Sequence, residues 1–337
     1  MEYTHKEEDK IDFNVQRVLP HKLTQNGPSL SKGDVNGDGF EDFIVGSSSN
    51  NSPELFIQDE NGNFTNKPLF TDKENLKFEE ESITLFDLEN DGDLDLYLVS
   101  GSNEFDRDSG YYQDRLFLND GAGNFELAQD KIPNINASGS VVIANDFDDD
   151  GFVDLFIGGR TPFAQYPLAD QSFLLKNYNG ILKDVTSTLA PGLKEIGMVT
   201  DAVWTDFDSD GLNDLIVIGE YMPITFFKNE KSEFRKLNNT GIENQIGWWE
   251  TIISNDFDKD GDMDYVVGNM GANNFYQPSE ERPITIISKD FDSNGTVDPI
   301  MFAYFKNNFQ DLDYNSFPVN FWGDLYGQGP LFRAKFK

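Results

Sequence analysis

One nine-residue pattern recurs six times along the 337-residue chain, and it restricts the fold more than any other feature. Its clearest copy reads Asp256-Phe-Asp-Lys-Asp-Gly-Asp-Met-Asp264 and runs straight into Tyr-Val-Val-Gly268. The copies occupy residues 34–42, 87–95, 146–154, 206–214, 256–264 and 290–298, and position 6 is glycine in all of them. Positions 1, 3, 5 and 9 carry oxygen-bearing side chains. In the first three copies these are Asp34, Asn36, Asp38 and Asp42, then Asp87, Glu89, Asp91 and Asp95, then Asp146, Asp148, Asp150 and Asp154. The last three have Asp206, Asp208, Asp210 and Asp214, then Asp256, Asp258, Asp260 and Asp264, then Asp290, Asp292, Asn294 and Asp298. Carboxylates two residues apart around a tight turn aim their oxygens at one point. The glycine permits the reversal, and a hard cation such as calcium is the natural occupant. Side-chain ligation at the four positions, with the carbonyl of position 7, predicts about one Ca²⁺ per loop and up to six in all.

The loop is not an EF-hand. That motif needs a bidentate Glu at position 12 and helices on both sides, whereas position 12 here is Val45, Leu98, Ile157, Val217, Val267 and Met301. The flanks are short β-branched and aromatic runs, such as Ile83–Phe86 before a loop and Leu215–Ile218 after one, and these read as strands. The unit is strand, metal loop, strand. Position 2 (Val35, Leu88, Phe147, Phe207, Phe257 and Phe291) reads as core packed between neighbouring units.

Charge follows the same pattern. The formal net charge is −34, and 22 of the 60 acidic residues lie at the four ligand positions, leaving −12 without them. Carboxylates packed this closely repel unless a cation is present. Such an acidic chain is a poor partner for nucleic acid or an anionic membrane surface, and no run is long and apolar enough to span a bilayer. There is no Cys, which excludes disulfides and thiol chemistry. Sites of modest affinity fill outside the cell, where calcium modules bind at about 10⁻⁴ to 10⁻³ M. An extracellular or cell-surface setting is therefore expected, although residues 1–8 show no signal peptide.

Loop-to-loop spacings are 53, 59, 60, 50 and 34 residues, with four strand candidates in each full unit. In the second unit these are Ile83–Phe86, Leu94–Val99, Arg115–Leu118 and Asn124–Ala128, the last two around the turn Asn119-Asp-Gly-Ala-Gly123. That repeat predicts an all-β β-propeller of four-stranded antiparallel blades, with the calcium loops between first and second strands. Five to six blades are visible, the fifth reduced in its outer strands. Residues 1–28 form a lead-in, with Ile11–Leu19 partly strand-like, residues 29–305 the propeller, and residues 306–337 a tail that begins a following segment.

The loops with their trailing Val-Val-Gly or Phe-Ile-Gly resemble FG-GAP/VCBS repeats, the calcium-binding blades of integrin α-subunit propellers and of many bacterial surface proteins. Leu19–Pro28, Gly219-Glu-Tyr-Met-Pro223, Gly247-Trp-Trp249 and Gly268-Asn-Met-Gly271 are similar to a bacterial exported group of the ASPIC/UnbV and cartilage-acidic-protein type. The resemblance implies a larger multi-domain parent and no defined activity.

Loops joining second and third strands lie on the face opposite the calcium loops, where propellers bind partners. Arg107, Tyr111, Tyr112, Arg160, Tyr166, Glu220, Tyr221, Asn273 and Asn274 are the candidate ligand-binding residues there, suited to a glycan or protein ligand. The expected role is binding or adhesion. The alternative is a lyase-like enzyme acting on polysaccharide at that same face. With only His5 and His21 in the chain, both before the first blade, no catalytic constellation stands out and no enzymatic activity is expected.

Overall fold

In every copy of the pattern the ninth residue opens a strand and pairs with the residue just before the first. The pairs are Gly33 with Asp42, Phe86 with Asp95, Asn145 with Asp154, Thr205 with Asp214, Asn255 with Asp264 and Lys289 with Asp298. What lies between is a hairpin loop whose position-6 glycine has φ from 86° to 102°, a conformation that a side chain would strain. The computed structural model describes residues 3–107, 109–306, 313–320 and 323–325.

The first blade holds β1 (Leu30–Gly33), β2 (Asp42–Val45), β3 (Glu54–Gln58) and β4 (Phe64–Pro68). The second holds β5 (Glu80–Phe86), β6 (Asp95–Ser100), β7 (Arg115–Asn119) and β8 (Phe125–Leu127). The third holds β9 (Gly139–Asn145), β10 (Asp154–Gly159), β11 (Phe173–Asn177) and β12 (Leu182–Asp184). The fourth holds β13 (Met198–Thr205), β14 (Asp214–Pro223), β15 (Thr225–Asn229) and β16 (Phe234–Lys236). Each blade is antiparallel with neighbours in chain order, so the fold is an all-β propeller with the acidic loops between first and second strands. The fifth unit has two strands, β17 (Ile246–Asn255) and β18 (Asp264–Asn269).

Apolar clusters fill the space between consecutive blades. Val35, Ile44 and Leu55 pack with Ile83, Leu96 and Phe117. Leu88 and Tyr97 pack with Val142 and Leu155, and Phe147 and Phe156 with Ala202 and Leu215. Each fully buried Leu, Ile or Phe contributes about 1.5–3 kcal/mol, so these seams hold the ring together. Position 2 supplies Val35, Leu88 and Phe147, all buried as expected. At the fifth unit that expectation fails, because Phe257 is 48% exposed. It shares the outer flank with Ile253 and Val266, also about half exposed, where no further blade packs among the described residues.

An asparagine at the end of the third strand adds a polar stitch. Asn119 Nδ2 donates to Val35 O at 2.8 Å, Asn177 Nδ2 to Leu88 O at 2.8 Å, and Asn229 Nδ2 to Phe147 O at 2.7 Å. Each tie runs from one blade to the metal loop of the blade before it.

Two features depart from a simple ring. Blades four and five share a sheet, because β14 and β17 run past their blades and pair through Glu220 with Trp248 and Met222 with Gly247. A fifth sheet, formed by the sixth unit's β19 (Thr285–Lys289), β20 (Asp298–Lys306) and β21 (Tyr314–Pro318), takes its third strand from the stretch expected to be a tail. The rest of that tail lies outside the described residues, apart from 306, 313, 319–320 and 323–325. This sheet packs on the lead-in through Val18, Ile300 and Phe302, and on the β10–β11 loop through Val297 N donating to Ala164 O at 3.1 Å. The lead-in is not a strand. Asp12 turns its carboxylate inward to accept the amides of Leu23 (2.7 Å) and Thr24 (3.2 Å), which sets a short 3₁₀ turn over Asp12–Asn14.

Candidate metal loops and axial cavity

Within the metal loops the same backbone contacts recur. The first Asp accepts the position-6 glycine amide, from Asp34–Gly39 at 2.8 Å to Asp256–Gly261 at 3.2 Å. The ninth Asp accepts the amide of position 2, at 3.1 Å for Val35, 3.0 Å for Leu88 and 2.8 Å for Phe291. In four blades its other oxygen accepts a third-strand amide: Gln58 on Asp42, Asn119 on Asp95, Asn177 on Asp154 and Asn229 on Asp214, at 2.7–2.9 Å. The loops are thus held open in shape with their carboxylates gathered. Carboxylate oxygens of Asp146, Asp148 and Asp154 come within 4.8 Å of one another. So do those of Asp206, Asp208 and Asp210, of Asp256, Asp258 and Asp260, and of Asp290, Asp292 and Asp298.

The first two loops differ. Asn36 turns its amide to Asp38 Oδ2 at 2.9 Å, and Glu89 reaches away to Lys131 Nζ at 2.6 Å. In loops three and four a lysine from the third strand lies on the carboxylates. Lys176 contacts Asp148 and Asp150 (2.9 Å), and Lys228 contacts Asp208 and Asp210 (2.8 Å). Burial raises the Asp42 carboxyl and pushes Asp95, Asp154 and Asp214 up to about 6, 7 and 6. Gathered carboxylates with an all-oxygen donor set fit a hard divalent cation such as calcium. When bound, it would offset their mutual repulsion.

On the opposite face a different repeat emerges. The innermost strand of blades two to five carries a β-bulge at the same place, and the bulged residues are Glu81, Ser140, Thr200 and Glu250. A bulge re-aims its side chain, and all four line one cavity of about 220 Å³ at the axis. Where the bulged residue carries a hydroxyl, it stitches to the next blade. Ser140 Oγ donates to Val199 O at 2.7 Å and Thr200 Oγ1 to Trp249 O at 2.8 Å. Ser29, just before β1, makes the matching bond to Glu80 O at 2.7 Å. Blades two and five put glutamates there instead.

Arg160 also lines this cavity and pairs with the buried Glu220. Glu220 Oε2 accepts Tyr166 Oη at 2.8 Å, and His21 Nε2 lies 3.1 Å from Oε1. Burial alone would raise the Glu220 carboxyl, but Arg160, His21 and Tyr166 together hold it below the usual range. Trp248 packs on His21 and Tyr221, with ring centres 5.1 and 5.5 Å apart.

Of the candidate ligand-binding residues, the structure brings Arg160, Tyr166, Glu220 and Tyr221 together. Tyr111 is separate, against Phe78 and Phe105 beside a second groove. Tyr112 is buried and bonds Phe105 O at 2.7 Å, which makes it loop core. Asn274 closes a local turn onto Gly271 O at 2.6 Å, while Arg107 and Asn273 stand exposed and apart. The sequence reading set His21 aside for its place before the first blade, yet the lead-in carries it to Glu220. Glu81 and Glu250 were also missed. Aligning the first strands of the repeats and asking which residue departs from Ser or Thr would have found them.

A sequence model described as the FG-GAP-like repeat matches residues 34–98, 87–157 and 206–267. No curated protein matches the chain in sequence. Among solved structures, a rhamnogalacturonan lyase of Bacillus licheniformis is similar at 13% identity and a TM-score of 0.44. The match covers 82% of this chain and 54% of that one, so the chain spans about half its length. A Bifidobacterium bifidum s17 protein, named provisionally as an exo-beta-1,3-galactanase, is similar at 10% identity and a TM-score of 0.36, with 90% and 92% covered. The expectation of no enzymatic activity is corrected here: similar structures include ones named as a lyase and a galactanase. The family match spans more than half of the residues, and the chain belongs to the FG-GAP-like repeat family.

Proposed function

We propose that this chain is a calcium-stabilised propeller of an exported or cell-surface protein, and that it binds glycan at the axial cavity. The ring of bulged residues carries the reading. Four blades spend the same irregularity on aiming Glu81, Ser140, Thr200 and Glu250 at one point, beside Arg160. A concave site with a few convergent polar groups is the usual form of a small-ligand site. Trp248, packed at a 50° tilt against His21 beside the Glu220 cluster, offers an aromatic face of the kind sugar rings pack against. Calcium has a structural part in this reading: the six loops would hold it, and its binding adds to folding free energy.

Glycan arrays followed by calorimetry on the calcium-loaded protein test the proposal. Glu250 is exposed at the rim, so Glu250→Trp should close the mouth without disturbing the core and abolish glycan binding. Undiminished binding in that variant would put the ligand elsewhere and defeat the proposal.

A second reading, action on the bound polysaccharide, is favoured by one observation. Burial, only partly offset by Arg160, pushes the Glu81 carboxyl up to about 7, which suits it to proton transfer near neutrality. Release of new reducing-end sugars from a polysaccharide panel, lost in Glu81→Gln, is the expected signature.

A further inference from the structure

Resting on the glycan reading, we infer that the axial cavity takes one neutral or amine-bearing sugar unit and rejects the uronate form. Size comes first. A cavity of about 220 Å³ equals the volume of about seven waters at roughly 30 Å³ each, room for a single substituted ring.

The charge balance decides the class. Glu81 and Glu250 both project into the cavity from their bulges. The cations beside them are already engaged, since Arg160 and His21 both face Glu220, which is itself fully buried on its side chain. The wall therefore offers two carboxyl groups beside one cation that is already paired, and an anionic occupant adds like-charge repulsion to the charge they carry in a partly desolvated space.

Hydrogen-bonding capacity points the same way. Glu81 Oε1 has no partner among the described residues. An unpaired buried acceptor is costly, so this atom calls for an O–H or N–H donor from the occupant. Sugar hydroxyls and an ammonium group supply donors. A carboxylate supplies acceptors only.

The test is competition calorimetry on the calcium-loaded chain with three methyl glycosides in both the gluco and galacto series: the amino sugar, the neutral sugar and the uronide. In the series that binds, the amino sugar should be tightest and the uronide at least tenfold weaker than the neutral sugar. Glu81→Gln and Glu250→Gln keep shape and remove charge, and each should narrow the amine-to-uronide ratio severalfold. A uronide bound as tightly as the neutral sugar, or a ratio unmoved by both variants, overturns the charge inference while the glycan reading stands. No saturable binding in either series overturns both.

Discussion

On the metal-loop face every important group comes from one nine-residue pattern. Asp154 and Asp214 have equivalent neighbours because each accepts the position-2 amide of its own loop and an amide from its own third strand. On the opposite face the neighbours of Glu220 are residues 21, 160 and 166, brought from the lead-in and from blade three. A metal loop takes its shape from its own blade, with a single asparagine tie from the next. The axial cavity exists only once the lead-in and four blades have met. One consequence is that the two faces should fail under different stresses.

Metal removal should produce the largest effect and strike the first face. Each loop loaded at 100 times its Kd contributes about 2.7 kcal/mol, and roughly 1 kcal/mol moves Tm by about 1.5 °C in a chain of 337 residues. Chelation should therefore lower Tm by ~10 °C or more if at least three loops are filled. An unchanged Tm in excess chelator, with no metal counted on the purified chain, would reduce the loops to ordinary turns and erase the contrast between the faces.

Next in size is damage to the second face. Glu220→Ala leaves Arg160, His21 and the Tyr166 hydroxyl facing an empty partner, and breaking a buried pair from one side costs about 3–5 kcal/mol. Glu220→Gln keeps most of the hydrogen bonds and should cost clearly less. Denaturant unfolding of both variants in saturating calcium separates the two. Equal losses would mean that the cluster matters for shape and not for charge.

Acidity offers a finer contrast. Acid protonates the loop carboxylates and releases calcium, whereas alkali acts at the other end of the blades. Asp114, buried and accepting Tyr97 Oη and Ser100 N at 3.0 Å, has its carboxyl pushed up to about 8 by burial. Its folded value lies above its unfolded one near 4, so the stability it lends is complete below about 4 and is lost as pH rises through about 8. In saturating calcium, Tm should fall by a few degrees between pH 6 and pH 9. Asp114→Asn should flatten that slope, and an unaltered slope in the variant would remove Asp114 as its source.

The same division explains what could be read from residue order alone. The propeller, the strand–loop–strand unit and the gathered carboxylates are set by spacing within nine residues, and spacing is what a sequence displays. Phe257 shows the limit of that view. Its place in the pattern matches buried Phe147, but burial depends on a neighbouring blade, and the outer flank of the fifth unit has none among the described residues. The bulged residues escaped for another reason. A bulge is visible only as a slip between two paired strands, so Glu81 and Glu250 look like ordinary strand residues until their partners are known. His21 needed the longest reach, a contact across 199 residues.

The smallest expected effect sharpens a difference among the loops themselves. Among the described residues only loops three and four have a lysine from the third strand on their carboxylates, where the corresponding residues of blades one and two are Ile57 and Leu118. A cation entering loop four must share Asp208 and Asp210 with the Lys228 ammonium or displace it. An exposed ion pair of this kind is largely screened by solvent, so replacing the lysine with an uncharged chain should tighten calcium binding only slightly. The long-range term has the same sign, since removing a positive charge near the site favours a second cation. Calcium titration of Lys228→Met, read by calorimetry against the parent chain, should show one site tightened and the others unmoved. Weaker binding would mean that Lys228 holds the carboxylates in place for the metal, and the lysine would then belong to the site and not compete with it.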